Sequence, residues 1–152
     1  MKQIRIKVNK IIERFLVLIL VGMVLNVIWQ VFTRFFTSSP SAFTNELARY
    51  LMIWLGILGA AYISGKQEHV AIDFFVKKLN NSLRRFIDRF VLFSILSFAF
   101  FVMIIGGINL VYITLNLEQY SPSLQIPLAL VYSIIPISGL LIIFYKVTQE
   151  KS

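Results

Sequence analysis

The chain has 152 residues, of which 58% are hydrophobic and only 14% are charged, and its mean hydropathy is +0.80. An ordinary soluble domain is nearer half apolar and a quarter charged, so the composition excludes that class. It predicts instead an all-α integral membrane protein, with residues 1–152 forming a single membrane domain. The sequence has no cysteine, which excludes disulfides, thiolate chemistry and cysteine-based metal sites.

The N-terminal segment, residues 1–14, carries apolar side chains on one helical face and basic side chains elsewhere. The apolar positions are Ile4, Val8, Ile11 and Ile12. This pattern predicts an amphipathic helix on an anionic membrane surface, and the alternative is a disordered basic tail that only sets topology. No small-residue cleavage site follows the first apolar run, so we expect an uncleaved anchor.

The first predicted span covers residues 15–36, enough to cross a hydrocarbon core of about 30 Å. A polar stripe runs along it at spacings of three and four: Gly22, Asn26, Gln30, Thr33 and Arg34. Such a stripe most often supplies hydrogen bonds between helices, and a substrate path is the sharper alternative. The connection that follows contains Pro40 among serines, which is typical of a turn.

The second predicted span covers residues 47–64. It follows Thr44 and Glu46, which suit a helix N-terminus because a hydroxyl can cap free N–H groups and a carboxylate complements the dipole. Glu46 and Arg49 are three residues apart and therefore share one side of the helix. With Arg34 at the end of the first span, they are predicted to form a shared ion-pair cluster that joins the two spans.

Small residues line one side of the second span, at Gly56, Ala60 and Ser64. Helices in lipid associate chiefly through close van der Waals packing, so this face favours the approach of another helix. The aromatic residues Tyr50 and Trp54 are predicted to pack or to lie at the membrane interface.

Residues 70–89 change to an amphipathic pattern. The apolar stripe contains Ile72, Phe75, Val76, Leu79, Leu83, Phe86, Ile87 and Phe90, and basic residues dominate the other face. The pattern predicts an interfacial helix between spans two and three, with its basic face among lipid headgroups. We expect no nucleic-acid partner, because nucleic-acid binding would leave the apolar face in water.

The third predicted span covers residues 90–113, and the fourth covers residues 127–145. Between them lies a loop without Lys or Arg. Pro127 suits a first helical position, whereas Pro136 in the helix interior is expected to kink the fourth span.

The basic residues are distributed very unevenly. Five lie in residues 1–14, six in residues 66–89 and two in the C-terminal tail, which leaves only Arg34 and Arg49 of the 15. Because Lys and Arg mark the cytoplasmic side of short loops, we predict both termini in the cytoplasm.

His69 is the only histidine, so this chain alone cannot hold a haem or metal between two histidines. It precedes Asp73 by four residues, and an orienting hydrogen bond is favoured over catalysis. The sequence shows no phosphate loop, nucleophile–base pair or acid near the middle of any span. We therefore expect neither an enzyme nor a cofactor here.

The stretch NELARYLMIWLGILGAAYISGKQEHVAID resembles the hallmark of the small, DctQ-type membrane subunit of tripartite ATP-independent periplasmic (TRAP) transporters. The residues that carry the resemblance are Glu46–Leu47–Ala48–Arg49–Tyr50, Trp54, Gly59–Ala60 and His69–Val70, followed by Tyr120–Pro127, Tyr132 and Pro136. The resemblance covers most of the chain and fits a four-span length.

The resemblance implies a multi-pass protein of the bacterial inner membrane that pairs with a much larger membrane subunit. That subunit carries the substrate and sodium sites, and a periplasmic binding protein delivers an organic acid, such as a dicarboxylate or sialic acid. The small subunit is expected to widen the static scaffold. Structural or interface roles are expected for Glu46, Arg49, Arg34, Gly56, Gly59, Ala60, His69 and Asp73.

Two other classes of function remain open from the residues. One is a stand-alone four-span carrier, which is disfavoured because such proteins depend on an intramembrane acid. The other is the membrane anchor of another complex, such as a respiratory enzyme, which is disfavoured by the single histidine.

Overall fold

The structure, a computed structural model, describes residues 2–37, 42–66 and 81–150. Over these ranges the chain is almost entirely helical. The elements are α1 (Lys2–Thr37), α2 (Ala42–Lys66), α3 (Asn81–Ser97), a π-helical segment (Phe98–Gly106), α4 (Gly107–Asn116), α5 (Leu128–Tyr132) and α6 (Ile134–Glu150). The third predicted span corresponds to α3, the π segment and α4, and the fourth corresponds to α5 and α6.

Four helices are long and apolar enough to cross a membrane: Gln3–Phe36, Ala42–Lys66, Arg85–Asn116 and Leu128–Thr148. The prediction of four spans in an all-α membrane protein is therefore confirmed. The second and third spans extend beyond the predicted bounds at both ends, the first only at its N-terminal end and the fourth only at its C-terminal end, because polar residues there remain helical.

The first helix differs from the prediction. Residues 2–37 form one helix of 36 residues, which is about 54 Å long. No Gly or Pro occurs before Gly22, so nothing in the sequence ends the helix between the basic segment and the apolar run. The described part of the predicted amphipathic segment, residues 2–14, is therefore helical and continuous with the first span, and the two together exceed the hydrocarbon thickness of about 30 Å. Its location on a membrane surface stays a prediction.

The predicted interfacial helix over residues 70–89 is only partly within the described residues. Residues 81–89 belong to α3 and continue into the third span without a break at position 90. Residues 70–80, which include Asp73, lie together with His69 in the part of the chain that the structure does not describe.

The middle of the third span is π-helical over nine residues, Phe98–Gly106. Most π-helices are single-turn bulges, so this is a long one. Its buried residues Ala99 and Met103 face α6. A Cβ atom added to Gly139 of α6 would lie only 2.9 Å from the Met103 Cβ and 3.1 Å from the Ala99 carbonyl oxygen. The two spans therefore pack with their backbones close together.

The regular hydrogen bonding of the fourth span is interrupted at Ser133, between α5 and α6, although Ser133 keeps right-handed helical backbone angles, with φ of −58° and ψ of −23°. Pro136 explains the position, because a proline has no N–H to donate to the carbonyl four residues earlier and its ring crowds that carbonyl. The kink expected at Pro136 stays a prediction.

Helix α2 lies at the centre of the bundle, between α1 and α6, while α1 packs mainly against α2. One apolar cluster joins Ile12, Leu58, Ile134 and Tyr145, and a second joins Ala61, Ala99, Met103 and Ile142. Much of the remaining apolar surface is exposed, as a membrane protein requires.

The helices alternate in direction, so the bundle has two distinct ends. We call the end that contains Thr37, Ala42 and residues 117–127 the loop end, and the end that contains Lys2, Lys66 and Asn81 the terminal end. Contacts between Glu46 and Ser121, and between Arg5 and the Gly65 carbonyl, place these segments together at their respective ends.

Candidate functional site

Glu46 holds the loop between the third and fourth spans against the start of α2. Its carboxylate accepts hydrogen bonds from the Ser121 hydroxyl, from the Ser123 N–H at 3.1 Å and from the Leu124 N–H at 3.2 Å. Ser121 is completely buried. Because a charged acceptor forms stronger hydrogen bonds than a neutral one, this contact fixes the loop firmly.

The loop folds back on itself around the carboxylate. The Ser121 N–H donates to the Ile126 carbonyl at 2.9 Å, and the Leu128 N–H donates to the Gln119 carbonyl at 2.9 Å. Glu118 and Gln125 have left-handed backbone angles, with φ of 47° and 54°. The two N–H groups that Glu46 binds, at Ser123 and Leu124, lie between these two positions and directly precede Gln125.

The predicted ion-pair cluster of Glu46, Arg49 and Arg34 is wrong for the part of the chain that the structure describes. Both arginines are exposed, and Glu46 is bound by the loop instead. The spacing in the sequence puts Glu46 and Arg49 on one side of a helix, but it could not show the hydroxyl and the two backbone donors that lie 75 to 78 residues away.

Asn26 connects the first two spans. Its side-chain amide donates to the Thr44 carbonyl at 2.7 Å, and both residues are buried. This contact supports the interpretation of the polar stripe as hydrogen bonding between helices. Thr33, another residue of this stripe, donates from its hydroxyl to the Gln30 carbonyl of its own helix at 3.0 Å.

Trp54 connects the centre of α2 to the interruption in the fourth span. Its indole N–H donates to the Val131 carbonyl at 3.0 Å, and the Ser133 hydroxyl donates to the Leu130 carbonyl at 2.7 Å. Backbone carbonyls at a helix break need other donors inside a membrane. Trp54 and Ser133 supply two of them, a role that the sequence prediction of simple aromatic packing missed.

At the terminal end, α2 packs against α6 through Gly65. A Cβ atom at Gly65 would lie 2.8 Å from the Tyr145 ring, and Tyr145 is completely buried. Arg5 of α1 donates to the Gly65 carbonyl, so three helices meet here. Nearby, the Tyr62 hydroxyl lies 3.3 Å from a Glu13 carboxylate oxygen.

Among the described residues, nothing packs closely on the Gly56 and Ala60 part of the predicted small-residue face, and the approach of another helix to it stays a prediction. Gly56 and Ala60 are exposed, and nothing lies within 4 Å of a Cβ added to Gly56 or to Gly59. The face that packs inside the bundle is offset from it and contains Leu58, Ala61 and Gly65. Of the predicted small residues, only Ser64 is buried.

Within residues 2–37, 42–66 and 81–150, no three His, Cys, Asp or Glu side chains come together to hold a metal ion. One cavity of about 510 Å³ lies on α1 beside Lys10, Glu13 and Arg14. Others are apolar grooves between helices, such as one of about 380 Å³ beside Phe15, Trp54 and Leu130.

The fold and these contacts define a four-span membrane protein stabilised by hydrogen bonds between helices, with apolar outer surfaces suited to lipid or to other membrane proteins. Residues 23–149 match the family of tripartite ATP-independent periplasmic transporters, DctQ component. The chain belongs to this family, which places it in the bacterial inner membrane as a multi-pass protein.

Three relatives illustrate the range of the family. A TRAP transporter small permease protein of Haemophilus influenzae is 29% identical over 142 residues, which cover 93% of this chain and 86% of that protein. The C4-dicarboxylate TRAP transporter small permease protein DctQ of Rhodobacter capsulatus is 35% identical over 66% of this chain and 44% of its own length. The sialic acid TRAP transporter permease protein SiaT of Haemophilus influenzae is 37% identical over 41% of this chain, but only 10% of its own length.

Proposed function

We propose that this chain is the accessory scaffold subunit of a sodium-coupled, binding-protein-dependent TRAP transporter for an organic acid. The observation that supports the proposal is the use of the polar side chains at helix contacts. Glu46, Asn26 and Trp54 all bind backbone groups of neighbouring segments. Side chains used in this way stabilise a fixed bundle and are not available to a moving substrate.

The absence of acids within the predicted spans supports the same proposal. Residues 15–36, 47–64, 90–113 and 127–145 contain no Asp or Glu. Carriers coupled to ions generally use ionisable groups or discontinuous helices near the middle of the membrane. At the interruption at Ser133, the Leu130 and Val131 carbonyls accept hydrogen bonds from Ser133 and Trp54.

The partners follow from the same assignment. A large membrane subunit would carry the substrate and sodium sites, and a periplasmic binding protein would deliver the substrate. Relatives named for C4-dicarboxylate and for sialic acid suggest an organic acid of one of these types. We propose no enzymatic activity and no cofactor for this chain.

Reconstitution tests this function directly. The chain is placed in liposomes alone, and in parallel with the large subunit and the binding protein, under an inward sodium gradient. We expect uptake of a labelled dicarboxylate or of sialic acid only when all three proteins are present. Sodium-driven uptake by this chain alone would contradict the proposal and would indicate an independent carrier.

A further inference from the structure

A groove runs along the seam between α1 and α2 on their outer side. It contains one cavity of about 370 Å³ and another of about 330 Å³. The α1 wall is formed by Leu16, Val17, Leu20, Met23 and Val27, and the α2 wall is formed by Asn45, Ala48, Arg49, Met52, Leu55, Gly59, Tyr62 and Ile63. Positions on each wall recur at spacings of three and four, so the two cavities belong to one continuous face.

The groove has the dimensions of a helix contact. Residues 16–27 of α1 span about 16 Å along the helix axis, which is three turns. The lining is almost wholly apolar, and methionines at positions 23 and 52 can adapt to the shape of a partner. The groove remains open in the described structure because α1 packs mainly against α2 and has no second neighbour on this side.

Arg49 lies at the loop end of the groove, and its side chain is exposed. Its Cα is about 10 Å from the first residue of α2, a helix about 37 Å long, so it lies near the loop end of the span. Among the described residues Arg49 forms no ion pair, and the nearest acid in sequence, Glu46, is bound by the loop. An arginine near a helix end extends its charge toward the membrane interface, where a carboxylate on a neighbouring helix can pair with it.

We propose that this groove binds one transmembrane helix of the large subunit, and that Arg49 pairs with an aspartate or glutamate on that helix. The inference rests on the proposed function and adds the contact surface and the chemistry of the partner. Charge complementarity selects the occupant: the groove offers an apolar channel with one cation at its end, and Asn45 beside it can donate a second hydrogen bond to a carboxylate.

A photocrosslinking experiment tests the surface. Met52 lies in the groove, whereas Phe93 is exposed on the third span and serves as the matched control. Each residue is replaced, one at a time, by p-benzoylphenylalanine, and the full complex is irradiated in native membranes. We expect a strong adduct with the large subunit from position 52 and a weak one from position 93.

The other outcomes distinguish the alternatives. An adduct from position 93 that equals or exceeds the one from position 52 would overturn the groove while leaving the subunit function intact. An adduct of position 52 with a second copy of this chain, or with lipid alone, would also overturn it. Failure of the unaltered chain to co-purify with the large subunit would instead refute the proposed function, and the docking proposal with it.

Substitutions of the two exposed arginines test the ion pair. Arg49→Gln is expected to reduce the large subunit retained on affinity purification by about tenfold or more, because it leaves the partner carboxylate unpaired. Arg49→Lys should restore most of the retention, and Arg34→Gln should have little effect. Equal retention for Arg49→Gln and Arg34→Gln would overturn the ion pair. If Arg49→Gln fails to fold when expressed alone, the crosslink from position 52 with Arg49 intact still tests whether the groove binds the large subunit.

Discussion

At the residue scale, Glu46 joins two segments that lie 75 residues apart in the sequence. A hydrogen bond to a group that is already positioned costs less conformational entropy than one to a mobile side chain. Backbone N–H groups in a folded loop lose no side-chain entropy when they bind a carboxylate. An arginine must restrict a long side chain to form the same contact. This difference explains why Glu46 binds the loop although Arg49 is three residues away.

The Glu46 contact predicts a clear effect on stability. Glu46→Ala removes an ionised acceptor from one hydroxyl and two N–H groups, and hydrogen bonds to charged groups are stronger than those between neutral groups. We expect a measurable decrease in the free energy of unfolding of the purified chain in detergent. Glu118→Ala makes the same charge change at an exposed site in the same loop and should have little effect. Equal losses for both would show that charge alone is responsible.

Trp54 permits a substitution that removes a single hydrogen bond. Trp54→Phe keeps an aromatic ring but loses the N–H that binds the Val131 carbonyl. Hydrogen bonds between membrane helices average about 0.6 kcal/mol, and we expect a loss of about 0.5–1.5 kcal/mol in unfolding free energy. Trp29 is 59% exposed, so Trp29→Phe provides the control and should be neutral. A neutral Trp54→Phe would mean that water or another donor satisfies Val131.

At the element scale, the π segment and α6 pack closely because Gly139 of α6 has no side chain to keep them apart. Gly139 lets the Met103 side chain approach the α6 backbone, and Gly107 does the same for Pro136, whose Cδ would lie 2.8 Å from an added Cβ. The π segment and Ser133 therefore lie in neighbouring spans that touch. Irregular backbone in a membrane is tolerated where protein covers it, and α6 covers the π segment in this way.

This contact predicts opposite results for two glycine substitutions. Gly139→Ala should destabilise the isolated chain by about 1–3 kcal/mol, because the added methyl group meets Met103 and the Ala99 carbonyl oxygen. Gly56→Ala adds the same methyl group where nothing lies within 4 Å, and alanine's higher helix propensity should make it neutral or slightly stabilising. Thermal unfolding in detergent measures both. A tolerated Gly139→Ala would indicate that the two helices are free to separate.

The spans could be predicted from the sequence because each one is encoded locally, in about 20 consecutive apolar residues. The long first helix is also a local property, because nothing between residues 2 and 21 ends a helix, although the change from basic to apolar residues near position 15 marks the start of the predicted span. The partners of Glu46 and Trp54 depend on contacts across 75 and 77 residues, which no local pattern records. The π segment was missed for a related reason, since its uniformly apolar sequence fits several kinds of helix.

At the scale of the whole molecule, the ends of the bundle differ in charge. Arg34 and Arg49 are the only basic residues near the loop end, where Glu46 and Glu118 balance them. The remaining basic residues belong to the terminal end or to segments that adjoin it in sequence. Short basic segments remain in the cytoplasm, so this asymmetry predicts that the terminal end faces the cytoplasm and the loop end faces the periplasm.

Cysteine labelling can test this orientation, because the chain has no native cysteine. Gln119→Cys places a thiol on an exposed residue of the loop end, and Ser82→Cys places one near the start of α3 at the terminal end. In intact cells, with the outer membrane permeabilised, an impermeant maleimide should label position 119 strongly and position 82 only after the inner membrane is opened. A permeant maleimide should label both, which controls for thiol reactivity. Strong labelling of position 82 in intact cells would invert the topology. It would also place Arg49 and the loop end of the α1–α2 groove toward the cytoplasm.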